Sequence, residues 1–387
     1  VLGLFSLLSG LLAVASQPRN LLDIGNSNPR TLSGRSNLLS LGGSPGCYHH
    51  WVNDKPQALP SFGTIVLAAY KPDPALFERQ LLSISKQTHA NFECVITADG
   101  DPDGVSRLVR SILPGDDRFR VAGFGDRLGF YGNFERGLTL VPPSADWVAL
   151  SDQDDYWYPE KLERLLPHLE SAVLVTGQAR VVTDSGRVVA ESTMRRRTDI
   201  CDLLVQNQVT GGLCVFRRDL LEVILPFPRL STLTQNHDHW IGVAAAALDD
   251  YVIVDDIVQD YVQHAANVIG EATESFNPLR SLRRARELAL RFENSASVPS
   301  VAVMVANMTF GWKALMLGTL EKRMPERTHS LEAASKTFNG PWAGFRIVAL
   351  LWRGVIGSRT DLGPALTHLI GLFGRRQATR RLTAAES

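Results

Sequence analysis

Between Thr64 and Ser151 the chain alternates four largely apolar runs of strand length with three stretches of helical periodicity, and this alternation constrains the fold more than any other feature. The runs are Thr64–Tyr70, Phe92–Thr97, Phe119–Phe124 and Trp147–Ser151. A strand with one wet face alternates polar with apolar residues, whereas a continuous apolar run marks a strand buried on both faces. Asp73 and Pro74 open a helical pattern with Leu76, Phe77, Leu81, Leu82 and Ile84 on one side, and Val105–Leu113 and Tyr131–Leu140 read as two further helices. This order predicts an α/β fold, an αβα sandwich around a mostly parallel central sheet. Such sheets bind ligands at the carboxyl ends of their strands. The residues there are acidic: Asp99, Asp101 and Asp103 after the second run, and Asp152, Asp154 and Asp155 after the fourth.

The remainder divides by texture. Val1–Ser16 is apolar and uncharged, short of the roughly 20 residues that span a bilayer, and similar to a signal-peptide core without its basic start. Residues 17–60 hold 20 Gly, Ser, Pro or Asn in 44 positions, so 1–60 reads as an apolar leader and flexible linker. The sheet domain is expected over 61–272, and a helical region over 273–387. Net charge is zero overall, but residues 1–274 carry 33 acids and 23 bases, and residues 275–387 carry 17 bases and 7 acids. A basic tail on an acidic body points to an anionic surface. The four cysteines lack metal-finger spacing, and Cys94 and Cys214 read as small core residues, which favours a reducing compartment.

Ser151–Lys161 is the most informative stretch. Three carboxylates within four residues repel one another unless a cation lies between them, and such an oxygen-rich site suits Mg²⁺ or Mn²⁺. A solvated acidic turn ahead of a helix has the same composition. A calcium loop is excluded, because Tyr156 and Trp157 stand where it needs Asp or Asn and then Gly. Asp238 fits either a general base or the N-cap of a helix starting near Trp240. His237 and His239 beside it raise zinc, but no third ligand has suitable spacing. Arg195-Arg196-Arg197 reads as a solvated loop, and Asp184-Ser185-Gly186 as a hairpin turn. No phosphate loop, nucleophile elbow or zinc-protease motif is present.

Leu150 to Trp157, continued by Pro159-Glu160-Lys161-Leu162, resembles the Leu-Ser-Asp-Gln-Asp-Asp-aromatic-Trp signature of glycosyltransferase family 2, in its rhamnosyltransferase-like branch. The resemblance covers about residues 61–272. It implies the Rossmann-like GT-A fold and inverting, metal-dependent transfer from a nucleotide-sugar donor. Position by position it implies that Ala69, Tyr70 and Asp99 meet the nucleotide, and that Gly129 and Asn133 lie near the ribose and sugar. Asp152 and Asp154 become the Asp-x-Asp pair, with Asp154 on a metal that His264 also approaches. Thr210, Gly211, Gly212, His237 and Trp240 are expected around the acceptor, with Asp238 as catalytic base. The chain departs from the family pattern at Asp101, His239, Val262 and Ala265.

The tail reads as helical. Val301–Leu320 contains Asn307 and Lys313 and is expected to be a buried helix. Trp342–Gly357 pairs aromatic residues with Arg346 and Arg353, which suits either a peripheral contact with anionic lipid or packing on the body or on a homodimer partner. The partners expected are a nucleotide-sugar donor and a saccharide or glycolipid acceptor, with no nucleic acid, at the inner, cytoplasmic face of the plasma membrane. Two other classes remain: a catalytically silent sugar-nucleotide-binding protein, and a nucleotidyltransferase, for which Lys71-Pro72-Asp73-Pro74 is a poor phosphate loop.

Overall fold

A computed structural model of the protein describes residues 62–230, 235–263, 283, 285–290, 294–326, 328–375 and 378. The expectations for residues 1–60 and for His264 lie outside the described residues. The first half alternates as the apolar runs predict: β1 (Gly63–Ala69), α1 (Pro74–Ser85), β2 (Phe92–Asp99), α2 (Pro102–Ile112), β3 (Phe119–Phe124), α3 (Gly129–Leu138) and β4 (Trp147–Ser151). There follow β5 (Tyr156–Trp157), α4 (Lys161–Leu165), β6 (Leu174–Thr183), β7 (Val188–Ala190), α5 (Ile200–Val205), β8 (Cys214–Arg217), α6 (Leu221–Ile224), α7 (His237–Ala247) and β9 (Tyr251–Gln263). The C-terminal helices are α8 (Val298–Ala306), α9 (Trp312–Arg323), α10 (His329–Phe338), α11 (Ala343–Ile356) and α12 (Leu362–Gly371).

The described strands form one sheet in the order β3-β2-β1-β4-β8-β6-β9-β5, with β7 on β6. β1 is the hub, paired in parallel with β2 and β4, and β3 extends this parallel half. β8 runs against both β4 and β6, while β9 returns parallel to β6. Most strands therefore point one way, with β5, β7 and β8 reversed. The β6–β7 hairpin turns at Gly186, whose φ of 82° suits glycine.

Burial on both faces explains the apolar runs. Ile65, Leu67 and Ala69 point into one core with α1, α2 and α4, while Val66, Val148 and Leu150 point into a second core. That second core contains α3 and α7 and also takes in Phe310, Trp312, Leu317, Leu331, Ile347 and Leu350. The C-terminal helices thus share the sheet's core. Residues 298–323 are helical throughout, with a π-turn at Asn307–Gly311, and 67% of their most apolar window is buried. Among the described residues this is the one helix long and apolar enough to cross a membrane.

Helix starts follow local chemistry. The Asp73 carboxylate accepts the Ala75 and Leu76 N–H groups at 3.0 and 3.1 Å, with Pro74 in the first turn. Asp101 likewise caps α2 through the Gly104 N–H at 2.9 Å, so that helix begins three residues before the expected Val105.

Candidate active site

The loop after β4 is braced from three sides. From α1, the Gln80 amide donates to Ser151 Oγ at 2.8 Å and Arg79 donates to the Asp154 carbonyl at 3.2 Å. From β1, the Tyr70 N–H donates to Gln153 Oε1 at 2.7 Å, while Gln153 Nε2 donates to the Tyr70 carbonyl at 3.2 Å. From β9, Gln259 Nε2 and the Val262 N–H donate to Asp155 at 3.0 and 3.1 Å. The glutamine of the Asp-Gln-Asp run therefore ties two strand ends together. Asp155 is buried and spent on β9, which leaves Asp152 and Asp154 as the acids of the loop.

Lys161 lies beneath this loop without solvent exposure. Its ammonium donates to the Gly212 carbonyl and to Gln259 Oε1, and sits 3.5 Å from the centre of the Trp157 ring. Burial pushes its pKa well down, against the charges of Asp155 and Asp152. Gly212 closes the site from the other side. A Cβ there would stand 3.3 Å from Asp152 Oδ2 and 3.4 Å from Asp155 Oδ2, so the backbone passes close to both carboxylates and leaves little room for a side chain.

Burial, then the charges of Asp154 and Asp238, push the Asp152 carboxyl up to about 7, with Lys161 opposing. The same influences show that Asp238 shares the field of Asp152. Asp238 lies in the first turn of α7, at its positive end, and takes the His239 N–H at 2.6 Å. It is not the N-cap, a position that Asn236 holds.

A cleft of about 550 Å³ opens at the carboxyl ends of β1 and β2, lined by Ala69, Lys71, Pro72, Asp99, Asp101 and Arg107 among others. Beside it the Arg127 guanidinium lies 4.2 Å from the centre of the Tyr70 ring. Asp99 accepts the Leu128 and Gly129 N–H groups at 2.7 and 2.9 Å and faces Arg136 at 3.4 Å. Its carboxylate thus holds the turn into α3, where Gly129 has a φ of 72°.

Several expected site residues are placed elsewhere. Trp240 is fully buried and donates its indole N–H to the Ile224 carbonyl at 2.9 Å, so it cannot stack on an acceptor. Asn133 is buried, with Nδ2 on the Thr97 carbonyl at 2.8 Å and Oδ1 on Arg136 at 2.7 Å, so it ties α3 to β2 and does not face a ligand. His237 is buried, stacked on Phe134 at 4.0 Å, and neither ring nitrogen has a hydrogen-bond partner among the described residues. It packs behind the site against Gly211, where a Cβ would meet its Nε2 at 2.5 Å. His239 is buried, with Nε2 3.0 Å from the Leu203 carbonyl. The arginine run is a loop with Arg196 and Arg197 exposed, as expected, but it is pinned to the body: Arg195 donates to the Asn207 carbonyl and to Thr210 Oγ1 at 3.3 and 3.2 Å, and Arg197 to the Tyr251 carbonyl at 2.8 Å.

Lys161, Gln259 and Arg195 were not legible as site residues, because each acts on positions at least 12 residues away in the chain.

For a divalent cation, the oxygen donors available are Asp152 and Asp154, with Asp238 adding to the same negative field. Among the described residues no group of three or more His, Cys, Asp or Glu is placed to hold a metal ion. An open pair of carboxylates suits Mg²⁺ or Mn²⁺, which complete their shells with water and ligand phosphate.

Residues 64–225 match the model of Glycosyl transferase family 2. A stretch of 100 residues is 30% identical to the succinoglycan biosynthesis protein ExoW of Rhizobium meliloti (strain 1021), covering 26% of this chain and 31% of that protein. Another of 160 residues is 24% identical to the uncharacterized glycosyltransferase alr2836 of Nostoc sp. (strain PCC 7120), covering 38% and 48%. The chain therefore spans less than half the length of these curated relatives. Among solved structures, S. aureus TarS 1-349 in complex with UDP-GlcNAc superposes with a TM-score of 0.44 at 12% identity, over 84% of this chain and 92% of that one. The mannosyltransferase PcManGT from Pyrobaculum calidifontis, in complex with GDP-Man and Mn2+, gives 0.42 at 17% identity, over 85% and 90%.

Proposed function

We propose that the protein is an inverting glycosyltransferase of family 2 that moves a sugar from a nucleotide-sugar donor to a saccharide or glycolipid acceptor. The family match over residues 64–225 supports glycosyltransferase activity. The observation that supports the mechanism is that Asp152 and Asp154, on the loop after β4, and Asp238, in the first turn of α7, lie within electrostatic reach of one another.

In this reading the nucleotide occupies the cleft at the ends of β1 and β2, and its diphosphate extends towards Asp152 and Asp154. Asp238 takes the proton from the acceptor hydroxyl as that oxygen bonds to the anomeric carbon. The bond from that carbon to the diphosphate oxygen breaks on the opposite face, which inverts the configuration. Asp154 would hold a Mn²⁺ or Mg²⁺ ion, whose charge would neutralise the departing diphosphate. Gly212 admits the substrate close to the backbone, and Arg195 fixes the Thr210 end of that turn.

The donor favoured is dTDP-rhamnose or a UDP-sugar, and the setting is cell-envelope or polysaccharide biosynthesis at the cytoplasmic face of the plasma membrane. Incubating the protein with a panel of nucleotide sugars, Mn²⁺ and candidate acceptors tests this through diphosphate release. Wild-type protein is expected to release diphosphate, while Asp238→Asn retains donor binding by thermal shift and loses transfer by roughly 100-fold or more. Thermal shift without release would instead indicate a silent binding protein. Pyrophosphate release from a nucleoside triphosphate and a sugar phosphate would indicate a nucleotidyltransferase. Wild-type rates in Asp238→Asn would remove the base.

A further inference from the structure

The outer face of α11 exposes side chains that a soluble surface rarely shows together. Trp342, just before the helix, is 70% exposed, Phe345 76%, Trp352 59% and Ile356 63%. At 3.6 residues per turn these side chains and the exposed Val348 fall within an arc of roughly 120°. Opposite them Ile347, Leu350 and Leu351 are buried against the body, so the inner face is already satisfied. Arg346 and Arg353 are exposed along one edge of the stripe, and Arg346 donates to the Lys336 carbonyl at 2.8 Å. Neither α11 nor α12 contains a carboxylate. In the sequence, residues 275–387 carry 17 bases against 7 acids.

Two kinds of surface can cover an apolar stripe with a basic edge. A second copy in an isologous contact would set the same face against itself. Arginines from both copies would then crowd together, with no carboxylate on either helix to offset them. An anionic bilayer satisfies both parts: aromatic side chains enter the boundary between headgroups and acyl chains, and guanidinium groups reach lipid phosphates. We propose that the outer face of α11 docks the protein on an anionic membrane surface, with the helix lying in the plane of the interface. This rests on exposure and charge, and does not depend on the reaction proposed above.

Co-sedimentation of the full chain with vesicles tests it. The protein is expected to sediment with equimolar phosphatidylglycerol and phosphatidylcholine, and to stay in solution with phosphatidylcholine alone. Phe345→Ser with Trp352→Ser is expected to abolish binding. Arg346→Gln with Arg353→Gln is expected to weaken it by roughly tenfold or more. All four positions face solvent, and the arginine variant loses one exposed hydrogen bond to the Lys336 carbonyl, so melting temperatures should stay close to wild type. Diphosphate release from the same preparations separates failure of the docking surface from failure of the enzyme reading. A folded wild-type protein that ignores the anionic vesicles would overturn the proposal. So would undiminished binding by both double variants, or a wild-type dimer that Phe345→Ser with Trp352→Ser converts to monomers.

Discussion

Asp152, Asp154 and Asp155 are close in sequence and differ in what surrounds them. Asp155 is enclosed and hydrogen-bonded to β9, so Asp155→Ala leaves Gln259 Nε2 and the Val262 N–H without their acceptor. That should cost about 1–3 kcal/mol of stability by denaturant melt. Asp154→Ala should leave the melt near wild type and abolish metal-dependent diphosphate release. Equal stability losses in the two variants would contradict this division of labour. The division was not legible in the sequence, because the partners of Asp155 are 104 and 107 residues away. The same holds for Trp240 and Asn133: an indole or an amide beside a motif looks like a ligand contact until burial shows it held by the core.

At the scale of elements, the parallel half of the sheet was readable because burial on both faces imposes continuous apolar runs. In the other half only the β6–β7 hairpin was readable, from its Asp184-Ser185-Gly186 turn. β5 has two residues, and β8 has four, held by pairing on both sides and not by any pattern of its own. Helix starts were readable to within a few residues where Asp-Pro supplied a cap. The turn at Gly211–Leu213 shows how an element positions chemistry. Gly212→Ala would place a methyl 3.3 Å from Asp152 Oδ2, so that carboxylate must give by a few tenths of an ångström. The expected outcome is a fall in kcat with a stability loss of only about 1–3 kcal/mol, measured by steady-state kinetics beside a thermal melt. Unchanged kcat would mean that the turn does not border the reacting groups.

For the whole molecule, the C-terminal helices share a core with the sheet, and titratable groups are buried in the interior. His237, His239 and His368 are buried, which lowers each to about 3 from 6.5. The unfolded chain takes up these protons near pH 6.5, whereas the folded chain resists them until about pH 3. Their stabilisation is therefore complete above pH 6.5 and lost as the pH falls towards 3, by about 3 kcal/mol for each by pH 4. Asp152 works in the opposite sense, because a carboxyl held up to about 7 weakens the fold as the pH rises towards that value. Melting temperature should fall steeply below pH 6, and His368→Leu should flatten that fall. An identical slope in the variant would count against burial of a neutral imidazole.

The central claim is that Asp152 and Asp154 form the cation-dependent seat of a diphosphate. Calorimetric titration of the full chain with UDP or dTDP, with and without Mn²⁺, tests it most directly. Wild-type protein should bind tighter with Mn²⁺ by roughly tenfold or more, and Asp154→Ala should lose that gain while keeping the metal-free affinity. A gain that Asp154→Ala retains in full would contradict the claim.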